Sequence, residues 1–166
     1  MAPTNTLGLT SLGTFHTAIS LVALAAGIIS FIRYKDISFR NLVGQIYVVS
    51  TVVVCLTGFG IFQHGGFGKP HMLGIATLVV LAIAAIAGYT RFYGRASRYV
   101  ETVSYSLTFF FHMIPTITEG STRLPPGAPL LPGAEAPELQ VATAAMFVVF
   151  LIGAFLQVRR LRRHPA

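Results

Sequence analysis

The sequence predicts an all-α bundle of five transmembrane helices, with the amino terminus outside and the carboxy terminus in the cytoplasm. Three observations predict it. Hydrophobic residues make up 54% of the 166-residue chain and charged residues only 10%, against roughly 25% charge in an ordinary soluble domain. Five apolar stretches approach the roughly 20 residues that a spanning helix needs. Ten of the twelve lysines and arginines fall on alternate connections and the tail, so they collect on one side of the membrane.

The elements follow in order. The first candidate helix runs over 13–32 (GTFHTAISLVALAAGIISFI) and the second over 42–62 (LVGQIYVVSTVVVCLTGFGIF). The third covers 71–89, the fourth 102–119 and the fifth 139–158, all within a single polytopic domain of residues 1–166. The first is not read as a cleaved signal peptide, because no basic residue precedes it and its apolar run is too long. The second hairpin, HGGFGKPH, has Pro70 opening the third helix, where a missing N–H costs nothing. The fourth stretch is the least lipid-like, since it holds His112, Pro115, four threonines and Glu119. Pro115 predicts a kink there and frees the carbonyl of Phe111, with Thr108, Thr116 and Thr118 at hand to satisfy exposed backbone groups. Residues 121–138 carry five prolines and form an outer loop that is not helical throughout.

Charge sets the orientation. Arg33, Lys35 and Arg40 follow the first helix, Arg91, Arg95 and Arg98 follow the third, and Arg159, Arg160, Arg162 and Arg163 end the chain. Lys69 and Arg123 lie on the other side. Positive connections stay in the cytoplasm, so the net charge of +7 is a topology signal and no nucleic-acid partner is expected. The tail arginines suit anionic lipid headgroups. One cysteine, Cys55, forms no internal disulfide and reads as a small apolar packing residue.

Four of the five histidines fall in the outer half. His16 and His112 are expected roughly 5 to 13 Å below the outer boundary, and His64 and His71 at it; His164 belongs to the tail. Ionisable groups at membrane depth usually face a bundle interior or a cavity. Imidazole ligates both transition metals and haem. His16, His64, His71 and His112 are therefore candidate metal ligands, and His16 with His112 a candidate pair for a b-type haem. The plainer reading of each is a hydrogen-bonded side chain at a helix interface. Glu119 lies two turns after His112, so a proton site on His112 and Glu119 is a further candidate. Glu119 and Arg123 are spaced for an ion pair. No HExxH or CxxC spacing, phosphate loop or Ser/His/Asp order is present, and no catalytic residue is assigned.

Two stretches, LTGFGIFQHGGFGKPH and YVETVSYSLTFFFHMIPTITEGSTRLP, resemble a group of small bacterial membrane proteins of unknown function. The likeness covers residues 13–126. It implies a bacterial inner-membrane location and no particular activity or cofactor. Three functions follow as expectations: redox or metal handling at the histidines, proton-coupled transport through His112 and Glu119, or a non-catalytic accessory role in a larger complex. Five helices are few for a lone carrier, so transport implies a homo-oligomer.

Overall fold

The structure is a computed structural model and describes residues 9–62 and 66–163. Those residues form five α-helices and no strand: α1 (Ser11–Tyr34), α2 (Leu42–Gly58), α3 (Lys69–Thr90), α4 (Ser97–Arg123) and α5 (Pro137–Arg163). A 3-10 turn, Gly94–Ala96, precedes α4. Three helices, α1, α3 and α5, are long and apolar enough to cross a membrane. The 17 residues of α2 are apolar but shorter. The 27 residues of α4 run about 40 Å but are far more polar.

The ends follow local chemistry. Thr10 caps α1, its Oγ1 accepting from the Gly13 amide at 3.1 Å. Asn41 caps α2 through Oδ1 and the Gly44 amide at 2.9 Å. The second helix stops at Gly58, short of the expected residue 62. Gly58 and Gly60 lower helix propensity there, and tight turns take over, with Gly60 N–H donating to Thr57 O and Ile61 N–H to Gly58 O, both at 3.1 Å. The fourth helix is longer than expected and helical through Pro115. Thr108 bonds the carbonyl of Tyr105 and Thr116 that of His112, neither of them Phe111. The non-helical run expected over 121–138 is confined to 124–136, because Ser121–Arg123 complete α4 and Pro137 opens α5.

Packing is that of helices in lipid, where small residues let backbones approach and polar groups bond across helices. The buried face of α1 is Gly13, Ala23, Ala26, Gly27 and Ser30. A Cβ on Gly27 would stand 2.5 Å from the Phe109 ring, so glycine there admits α4. The core gathers Ala26, Ile37, Tyr47, Leu81, Ala84 and Tyr105. Its polar tie is Tyr47 to Thr108 at 2.9 Å; Thr108 spends its own proton on the Tyr105 carbonyl, so the tyrosine donates. The buried side of α4 is mostly polar, with Glu101, Thr102, Tyr105, Ser106, Thr108 and His112 turned inward. Large apolar side chains face out instead, as with Leu21, Ile32, Val149, Ile152 and Phe155.

Cross-bonds place the basic connections at one end. Arg40 reaches Glu101 and the Gly88 carbonyl, and Arg160 the Tyr34 carbonyl at 2.8 Å. At the opposite end Lys69 pairs with Glu135, both exposed.

Candidate functional site

The histidine end is assembled by α1, α2 and α4. His16, half-buried on α1, has Nδ1 3.0 Å from Thr57 Oγ1 on α2. The Thr57 hydroxyl donates to the carbonyls of Val53 and Val54, so the imidazole is the donor and Nε2 keeps its lone pair. His112, buried on α4, has Nε2 3.1 Å from the Ser20 carbonyl on α1. A carbonyl only accepts, so Nε2 carries the proton and Nδ1 keeps a lone pair. Ser20 is one turn beyond His16, and its hydroxyl bonds the His16 carbonyl at 2.8 Å. The two imidazoles thus meet the same stretch of α1. Glu119 is more than half exposed and forms the expected ion pair with Arg123.

His71 stands apart from this pair. Its Nδ1 accepts from the Gly68 amide at 3.2 Å, capping the start of α3. The ring packs nearly parallel to Phe62 and Phe67, with centroids 5.2 and 5.1 Å away, and to Phe59 at 6.5 Å. Its Nε2 is buried with no hydrogen-bond partner among the described residues. With Nδ1 accepting, the proton sits on Nε2, and neither nitrogen offers a lone pair to a metal in this arrangement. The expected ligand His64 lies outside the described residues. Among the described residues no group of three or more His, Cys, Asp or Glu side chains is placed to hold a metal.

The polar arrangement that sequence reasoning missed is at the other end. Arg40 Nη1 is 3.0 Å from both carboxylate oxygens of Glu101, and Nη2 donates to the Gly88 carbonyl at 3.1 Å. Glu101 is buried on α4 while Arg40 is largely exposed. The partners are 61 residues apart, so no local spacing announces them. The one available signal was an acidic residue, one of five in the chain, at the start of the fourth span.

Asp36 adds a pH dependence at this end. Partial burial raises its carboxyl above the ordinary 3.8, and Arg160, Arg98 and Arg40 offset only part of that. A raised acid holds its proton to higher pH folded than unfolded, so its contribution to stability is complete below the ordinary value and lost as pH rises through the raised one. Asp36→Asn is therefore expected to melt higher than wild type at about pH 7, with the advantage gone near about pH 3. Melting curves of the detergent-solubilised chain at both pH values check this; an equal gain at both would contradict it.

Comparison with protein-family models, with curated proteins and with solved structures found no match for this chain.

Proposed function

We propose that the chain is a five-span protein of a bacterial inner membrane, amino terminus outside, which takes up a proton from the outer face through Glu119, His16 and His112. The observation that carries the reading is the graded burial of exposed Glu119, half-buried His16 and buried His112, with both imidazoles tied to one stretch of α1 through Ser20. Exposed Glu119 collects the proton and the free Nε2 of His16 accepts it, while Nδ1–H stays fixed on Thr57. Two imidazolium charges bonded to one stretch of α1 in a low-dielectric site would repel, so the pair carries one proton at a time and passes it inward to Nδ1 of His112. Span count and orientation rest on the three long apolar helices, the gathering of arginines at one end and the positive-inside rule; the bacterial membrane rests on the resemblance above.

Proton flux into proteoliposomes, read with an internal pH dye, tests the reading. A positioned proton-transfer group contributes about 100-fold or more, so His16→Ala and His112→Ala are each expected to lower the flux by about that factor, and Glu119→Gln to slow it less. Equal flux in wild type and the double histidine variant would sink the proposal.

One observation favours a second reading. Metal-binding imidazoles commonly donate their other ring N–H to a fixed oxygen, as His16 and His112 both do. Two nitrogens are fewer than the four ligands of a closed zinc site, so a transition-metal ion here needs ligands beyond these two rings. Elemental analysis of the purified chain discriminates: a stoichiometric metal lost in the His16→Ala variant supports it, and a metal-free chain with proton flux removes it.

A further inference from the structure

Between α1, α4 and α5 lies a cleft of about 450 Å³, within the size range of ligand sites. Its walls are apolar, Phe31 from α1, Phe109, Phe110 and Met113 from α4, and Val149 and Phe150 from α5. Its mouth is not. Lys35 and Arg160 stand there together, held in place by their bonds to the carbonyls of Ile32 and Tyr34. Gln157 bridges the helices just inside, accepting from Ser106 at 2.8 Å and donating to the Lys35 carbonyl at 3.0 Å. Asp36 follows Lys35 directly in the chain and attracts Arg160.

We propose that this cleft binds one anionic phospholipid, its phosphate on Lys35 and Arg160 and one acyl chain between α4 and α5. Charge selects the occupant, because two cations border an otherwise apolar groove. Length agrees. Met146 and Arg160, both lining the cleft, are about 21 Å apart along α5 at 1.5 Å per residue. That matches the depth of one leaflet, half of a roughly 30 Å hydrocarbon core with its headgroup layer. An apolar protein helix seated here would bring no anion to the two cations, with only Asp36 to offset them. The inference rests on the membrane reading but not on the proton site, so the two fail separately.

The test is native mass spectrometry of the full chain in mild detergent, offered phosphatidylglycerol and phosphatidylcholine in equal amounts. Each cation near an anionic lipid adds appreciable binding, so wild type is expected to retain one phosphatidylglycerol with about tenfold or greater preference. Lys35→Gln with Arg160→Gln should erase the preference. Gly153→Leu should lower retention of both lipids, since a side chain at Gly153 meets nothing within 4 Å and grows into the cleft without a clash. Equal retention of the two lipids by wild type would overturn the proposal. So would a preference unchanged by the double substitution, or a lipid-free dimer with Gly153 at its interface.

Discussion

Alanine at Gly44 is expected to destabilise the bundle by about 3 kcal/mol, the upper end of overpacking costs. A Cβ built there stands 1.9 Å from the Ser38 carbonyl oxygen and 2.7 Å from its carbon. These are backbone atoms, and a flexible side chain cannot swing away to relieve the clash. The connection that carries Ser38 is itself fixed: Ile37 is in the core, Asn41 N–H bonds the Ser38 carbonyl, and Arg40 is clamped on Glu101. Either α2 withdraws from the connection or the Asn41 cap opens. Gly120→Ala is the control, since nothing lies within 4 Å of its added carbon, and there alanine is expected to gain up to about 1 kcal/mol from helix propensity. Equilibrium unfolding in mixed micelles measures both. A Gly44→Ala variant within about 0.5 kcal/mol of wild type, the range of an ordinary surface change, would show that the close approach at Ser38 is not a constraint.

Arg40→Ala is expected to cost about 2 to 3 kcal/mol, the scale of a lost charged hydrogen bond to a buried partner. Full removal of a buried ion pair's partner costs somewhat more, but Arg40 is itself largely exposed and solvent screens part of the attraction. The penalty comes from Glu101, left buried among Gly88, Tyr105 and the α3 terminus with its charge unanswered. Glu101→Gln keeps the shape and removes the charge, so its cost is expected to be about 1 kcal/mol. The double variant, Arg40→Ala with Glu101→Gln, should then be more stable than the sum of the singles requires, a coupling read from a double-mutant cycle. Additive singles would mean the pair contributes nothing beyond its separate side chains.

Much of this arrangement is legible in the sequence. The apolar stretches located all five helices, and α1, α3 and α5 have the length and composition that the reading required. Counting along alternate helices put His16 and His112 in one half, and they do meet the same stretch of α1. Rotation about each helix axis was not legible. Both α1 and α3 are apolar around most of their circumference, so no polar face said which side packs inward. That is why His71 was grouped with the other imidazoles, although its ring lies among phenylalanines and caps its own helix. The fourth helix is the exception: Glu101, Tyr105, Thr108 and His112 mark a polar stripe at helical spacing, and that stripe is its buried side. The Arg40–Glu101 pair escaped notice because the hydropathy pattern placed its members in two connections with no stated relation.

The tautomers and the linkage of His16 and His112 are the most direct test of the proton site. Nitrogen-15 NMR of histidine-labelled full-length chain reports both. A proton on Nδ1 of His16 and on Nε2 of His112 is expected at neutral pH, with resonances of the two rings that move together in one step on acidification and Glu119→Gln altering that step. Two rings that titrate independently, or that stay unchanged across the whole range, would contradict it.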